Sequence, residues 1–419
     1  MVFGTGSTAT TDAVLCAAIT WSFACFASAL FEGWNARNAL GLVVALAAAQ
    51  LVKGPVGVAV PLLGMLPALF VLRRELPNAR TLALGVCGAA LAATALFVAW
   101  GLPANAATEG RYLAQGLGHH VVDRMADPME GHGAKPFGFF YYYELVVVLG
   151  ALPWLPLLPG AVLALFRGTL LERRMRVLLA TWIVTTMLLM SAVATKLPHY
   201  ALPLFPALAL AVAALADHGA FAPRARRIGK IAYVALVSLL ALGFVVVGVA
   251  LAPTLALRVA CGGAALIAAA GACFVARAGP SARKTSWTAI AAAIALHAWI
   301  AFVALPAAEE LKLAPRLALQ LRAKTADDVS VTTYKFDEPS LIFYMQRTPV
   351  ARVSKDDELA AWFEDVTPGV LVAPRDDMAK FAARTGATLP DELASVEGFN
   401  YSKGRWMVLA AWSRATTTK

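Results

Sequence analysis

Charge is what this 419-residue sequence has least of. Asp, Glu, Lys and Arg together supply 15% of it, against 59% hydrophobic residues. Globular domains carry roughly 25% charged and about 45–50% apolar residues, so this apolar excess cannot all be buried in a soluble core of ordinary shape. A soluble enzyme, a nucleic-acid binder and a disordered chain are thereby excluded. Acidic residues are scarcest where the apolar runs lie: residues 1–305 hold 21 Lys and Arg against 10 Asp and Glu, whereas 306–419 hold 15 against 16. The net charge of +10 is therefore a membrane-topology signal before it is a phosphate-binding groove. All five cysteines (Cys16, Cys25, Cys87, Cys261, Cys273) lie inside apolar runs, which indicates neither a disulfide framework nor a metal-binding Cys cluster. The polar start MVFGTGSTATT has no basic n-region of a signal peptide and leads directly into the first apolar run. There is no internal repeat.

What is present is a succession of apolar runs, each near the length of about 20 residues that a span needs. Ten can be drawn: 10–31, 38–52, 55–72, 81–100, 139–166, 177–194, 199–216, 229–252, 255–276 and 286–305. The break Lys53-Gly54-Pro55 between the second and third predicts a tight hairpin. Basic residues fall in alternate loops, 15 of the 21 on one side, from Arg37 through Arg73 and Arg174 to Lys284. That side is the cytoplasm. The predicted fold class is a mostly α, polytopic membrane protein over 1–305, with an outer loop 101–138, followed by a small extracytoplasmic α/β domain over 306–419. In that domain helices are expected near 315–325, from Ser354 (Ser-x-x-Asp to Asp357) to about Asp365, and over 375–384, stopped by Gly386. Strands are expected near 329–334, 340–346, 369–373, 393–398 and 405–412.

Residues with chemical potential gather on the outer side. Asp12 opens the first span, Lys53 closes the second, and Lys196, His199 and Tyr200 form the junction TKLPHYALPLFP. The loop 101–138 brings Arg111, His119, His120, Arg124, His132 and Lys135, and leads into Tyr141, Tyr142 and Tyr143. Folded together, these would make a cationic, aromatic-rimmed cavity suited to a phosphate head group whose tail stays in the bilayer. Each also has a bland alternative: snorkelling for Lys53 and Lys196, a helix cap for Asp12, an ordinary loop for the histidines, an interfacial belt for the tyrosines. His218 and His297 read as structural. No H-x-x-x-H pattern marks a metal site, so a divalent metal at the loop histidines stays open and no cofactor is assigned.

The junctions LVKGPVGVAVPLL (51–63), KPFGFFYYYELVVVLGALPWLPLLP (135–159) and TKLPHYALPLFPALAL (195–210), with ATTDAVL (9–15) ahead of them, resemble the GT-C membrane glycosyltransferases of the aminoarabinose-transferase and protein O-mannosyltransferase kind. The order of the motifs and the late segments YKFDEPSLIFYMQRTPV (334–350) and GFNYSKGRW (398–406) agree with it. The resemblance implies a bacterial inner-membrane enzyme moving a sugar from a polyprenyl-phosphate donor to a lipid (lipid A) or protein acceptor at the periplasmic face. By similarity, Lys53, Arg124, Lys196 and Tyr200 would contact the donor phosphate. Asp12 matches an acidic position, and is the expected catalytic candidate. His119 or His120, His132, Tyr142 and His199 would be outer-loop participants. The family's further N-terminal spans and first outer loop, with the Asp often assigned as catalytic base, have no counterpart here. A non-catalytic membrane partner or a remnant of such an enzyme is thus a second expectation. A lipid or sugar transporter is a third, disfavoured because the spans hold no mid-membrane charge.

Overall fold

The computed structural model describes residues 11–123, 141–167, 171–218, 223–279, 281–347, 350–400 and 403–414. The membrane helices are α1 (Asp12–Glu32), α2 (Ala36–Lys53), α3 (Val56–Leu72), α4 (Ala79–Ala107), α5 (Tyr142–Gly150), α6 (Leu158–Arg167), α7 (Arg173–Ala192), α8 (Phe205–His218), α9 (Pro223–Val246), α10 (Leu255–Arg277) and α11 (Ala282–Trp299). Helix α9 runs on to Leu251 and α11 to Glu309 through wider turns. Among the described residues seven helices are long and apolar enough to cross a membrane, and shorter apolar helices supplement them. The protein is a multi-pass membrane protein, and each of the ten expected spans coincides with helix.

Proline accounts for the two irregular spans. The fifth is broken into α5, a tight turn Leu152–Trp154 and α6, because Pro153 and Pro156 cannot donate the amide hydrogens that a continuous helix needs. The seventh opens as a tight turn, Pro198–Leu204, before α8 begins. The hairpin between α2 and α3 is as tight as expected. Gly54 closes α2 with φ +59, and a Cβ on Gly57 would stand 2.3 Å from the backbone carbon of Ala49. Only glycine admits that approach, so the sequence KGPVG holds the end of α2 against the start of α3.

The chain divides into two compact units, 1–243 with 265–296, and 244–264 with 297–419. The first is built on α1–α8, with Ile19, Phe26, Leu42, Leu46 and Met65 wholly buried among them. In the second, α12 (Leu313–Lys324) precedes a sheet of β1 (Ser330–Tyr334), β2 (Val350–Val353), β3 (Gly369–Pro374), β4 (Glu392–Asn400) and β5 (Arg405–Arg414), with α13 (Pro339–Met345), α14 (Asp356–Glu364) and α15 (Arg375–Thr385) between strands. The strand order is β2-β1-β3-β5-β4, parallel over the first three and antiparallel thereafter. Alternation along the central β3 serves both faces: Val370 and Val372 pack with α12 and α13, while Leu371 and Ala373 pack with α14 and α15. Three hydrogen bonds tie this sheet to the end of the last span, Phe399 N–H donating to Leu311 O and Arg316 bridging the carbonyls of Glu310 and Glu397.

Two expectations are corrected. Residues 340–346 form helix α13, not a strand: Pro339 starts a turn and Leu341 and Met345, four apart, face the core together. The cap of α14 is not Ser354 with Asp357; Glu358 instead accepts from the backbone amides of Ser354 and Lys355. Strand β2 was not foreseen. The helices at 313–324 and 375–385, the latter ended by Gly386 at φ +71, and the strands β1, β3, β4 and β5 lie where expected.

Candidate active site

Three segments of the first unit meet at one end of the helices: the first residue of α1, the last of α2 and the proline-rich turn before α8. Asp12, 6% exposed, forms an ion pair with Lys53. Both charges suit their helix ends, the carboxylate at the N-terminus of α1 and the ammonium at the C-terminus of α2. His199 Nε2 stands 3.6 Å from the second Asp12 oxygen. The Lys53 ammonium lies 4.6 Å from the centre of the Tyr200 ring, and the His199 and Tyr200 rings meet edge to face at 5.0 Å. Lys53 keeps 27% of its side chain exposed while Asp12 keeps 8%. The group open to an arriving ligand is therefore the cation, backed by a buried carboxylate.

Lys196 is placed differently. It is 4% exposed, and its ammonium donates to the carbonyls of Ser191 at 2.6 Å, Val193 at 2.5 Å and Met190 at 3.4 Å. It caps the C-terminal end of α7 from within. Burial pulls its pKa down, while the three carbonyls favour the charged form. Tyr143, wholly buried, lies beneath it with its ring 5.7 Å away and donates its hydroxyl to Leu197 O at 3.4 Å. Tyr142 packs edge to face on Tyr143 at 5.0 Å. The structure thus brings Asp12, Lys53, His199 and Tyr200 together and sets Lys196 against backbone. Of the three tyrosines named from the sequence, Tyr143 is the one buried beneath Lys196, a placement that the run of tyrosines entering an apolar helix does not distinguish.

The histidine loop is described only in part. His119 and His120 lie on the helical stretch Ala114–Asp123, but their side chains, together with Arg124 and His132, fall outside the described residues. Among the described residues no group of three or more His, Cys, Asp and Glu could hold a metal ion.

No protein-family model matches the chain. An undecaprenyl phosphate-alpha-4-amino-4-deoxy-L-arabinose arabinosyl transferase of Enterobacter sp. is 30% identical over 235 residues, 54% of this chain and 40% of that protein. The transferases so named from Edwardsiella ictaluri and Proteus mirabilis are 31% and 30% identical over 220 and 219 residues, each aligned over 51% of this chain and 37% of their own length. The chain thus spans about two fifths or less of the curated relatives it matches. The crystal structure of ArnT from Cupriavidus metallidurans bound to undecaprenyl phosphate superposes with a TM-score of 0.71 at 18% identity, covering 98% of this chain and 76% of that one. The chain has the GT-C fold of the aminoarabinose transferases. The apo form of the same ArnT gives a TM-score of 0.66 at 17% identity, over 97% and 74% of the two chains. The junction motifs that suggested this family therefore sit on a GT-C frame.

Proposed function

We propose that this protein is a GT-C glycosyltransferase that uses a polyprenyl-phosphate-linked sugar and passes the sugar to a lipid or protein acceptor at the outer face of the bacterial inner membrane. The observation that supports it is the Asp12–Lys53–Tyr200 cluster, formed where two helix ends meet the KLPHY turn. On this reading the helices within 1–305 hold the donor and the 306–419 domain lies on the periplasmic side. The relatives' names supply the substrate class: an undecaprenyl-phosphate donor.

The chemistry follows from where charge develops. Breaking the anomeric C–O bond leaves negative charge on the departing lipid phosphate. A fixed ammonium stabilises that charge more in the transition state than in the ground state. Lys53, partly exposed, is the cation that meets the phosphate. Asp12 holds its stem and ammonium in place and is a positioning carboxylate, with His199 as its second neighbour. Tyr200 presents its ring to the ammonium and would join it at the phosphate, as would Arg124 from the outer loop. Lys196 acts one layer behind, fixing the end of α7 from which the KLPHY turn departs.

The test is binding of undecaprenyl phosphate to the purified chain in detergent, read by native mass spectrometry. A charge-assisted contact contributes about 1.5–3 kcal/mol, so Lys53→Ala is expected to weaken binding by roughly one to two orders of magnitude. Unchanged affinity would remove Lys53 from the phosphate site. Transfer from a panel of undecaprenyl-phosphate sugars then separates an enzyme from a non-catalytic lipid-binding partner.

A further inference from the structure

At the other end of the first unit, one helix length from Lys53, a cavity of about 780 Å³ opens between the start of α9 and the end of α10. Its rim carries Arg226, Arg227 and Lys230, and its wall is apolar, with Ile231, Val234 and Ala276 among the lining side chains. No acidic residue is among those described as lining it. Lys230 does more than add charge. Its ammonium donates to Ala278 O at 2.5 Å and Ala276 O at 3.3 Å, so it ties α9 to the carbonyl end of α10 and fixes the width of the opening. Topology requires only that basic residues lie in loops on one side of the membrane. It does not require them to converge on the mouth of a cavity whose inner wall is hydrocarbon.

A second basic groove at this end, around Arg73, Arg74 and Arg80, is of a different kind. There Arg73 lies over the Phe70 ring at 3.9 Å, and the neighbouring Glu75 is paired with Arg173.

We propose that the α9–α10 cavity is a binding site for an anionic phospholipid of the leaflet at this end of the protein. Its phosphodiester lies against Arg226 and Arg227, with the acyl chains along Ile231 and Val234. Charge complementarity supports that occupant. The charged residues described as lining it are all basic, basic pockets between membrane helices suit lipid phosphates, and Ile231 in the lining is exposed. Free phosphate metabolites would share the arginines but would leave the apolar wall unused.

The experiment reconstitutes the whole chain in phosphatidylcholine vesicles and measures association of spin-labelled phosphatidylglycerol against spin-labelled phosphatidylcholine by electron paramagnetic resonance. The wild type is expected to select phosphatidylglycerol. Arg226→Gln with Arg227→Gln should lower that selectivity by about fivefold per arginine. Arg283→Gln with Lys284→Gln, exposed basic residues at the same end that do not line the cavity, should leave it within twofold. Should the arginine pair fail to fold, Ile231→Trp decides, because it fills the apolar wall without touching the charges and should also lower selectivity. Equal loss in the two charge-deleted pairs, no selectivity in the wild type, or full selectivity in Ile231→Trp would overturn the site. Displacement of the spin-labelled lipid by excess glycerol 3-phosphate would reassign the arginines to soluble phosphates and overturn it too.

Discussion

Lys53 and Lys196 stand in similar contexts, each ending or following an apolar helix a few residues before a proline, and they meet opposite surroundings. Lys53 is held by a buried carboxylate and remains open to solvent on one side. Lys196 spends its ammonium on three carbonyls at the end of α7. Replacing Lys196 by Met leaves those carbonyls without their donor. Charged hydrogen bonds contribute about 1.5–3 kcal/mol apiece, so a loss of several kcal/mol and a clear drop in Tm in detergent are expected. At temperatures where the variant is still folded, its affinity for undecaprenyl phosphate should fall less than that of Lys53→Ala. A Lys196→Met protein with unchanged Tm and abolished binding would instead place its ammonium on the phosphate. The sequence could not separate the two lysines, because a cation is legible in a string of letters and the carbonyls of a helix end are not. The pairing of Asp12 with a lysine was open to inference, since the acid and Lys53 both fall at the outer ends of neighbouring spans. The approach of His199 to Asp12 was not, because 187 residues separate them and nothing local signals the contact.

Elements were legible where one cause dominated. Apolar length placed the membrane helices, and short β-branched runs placed β1 and β3. Prediction failed at 340–346, where SLIFYMQ has the composition of a strand but Pro339 and the four-residue spacing of Leu341 and Met345 select a helix. The cap of α14 was misread by one residue because Ser354 and Glu358 both offer plausible chemistry, and only the backbone path decides between them. That cap carries a pH dependence. Glu358 is held below the usual carboxylate range by the amides of Ser354 and Lys355, and Asp365 by the backbone and hydroxyl of Thr367, with Arg414 adding to it. A carboxylate whose pKa is depressed in the folded state contributes stability that is present above its unfolded value and lost as pH falls through the folded one. The domain should therefore hold its structure at neutral pH and weaken below about pH 4, the ordinary carboxylate range. Hydrogen exchange of residues 354–367 in the intact chain, corrected for the intrinsic pH dependence of exchange, should show the loss. Glu358→Gln should remove part of it, because the amide oxygen keeps the cap without titrating. Equal acid sensitivity in the wild type and Glu358→Gln would show that this cap is not responsible.

At the scale of the whole molecule, the unequal charge distribution makes the firmest demand. Fifteen of the 21 basic residues in 1–305 fall in alternate loops, and lipid bilayers retain such loops on the cytoplasmic side. On the proposed orientation the α9–α10 opening faces the cytoplasm and Lys53 with its cluster the opposite side, because a single helix run separates the KLPHY turn from the α8 end that precedes α9. The last span carries the chain back across and ends at Glu309, immediately before the sheet domain. On the proposed orientation the sheet domain is periplasmic. Two engineered thiols in a cysteine-free background read this out. Val366 is 86% exposed on the loop before β3 and Ser281 is exposed on the loop between α10 and α11; the proposed orientation makes the first periplasmic and the second cytoplasmic. A membrane-impermeant maleimide should label Val366→Cys in intact spheroplasts and Ser281→Cys only after permeabilisation. Labelling in the reverse order would overturn the proposed orientation. Labelling of both in intact spheroplasts would break the alternation of spans itself, and with it the assignment of the α9–α10 cavity to the inner leaflet.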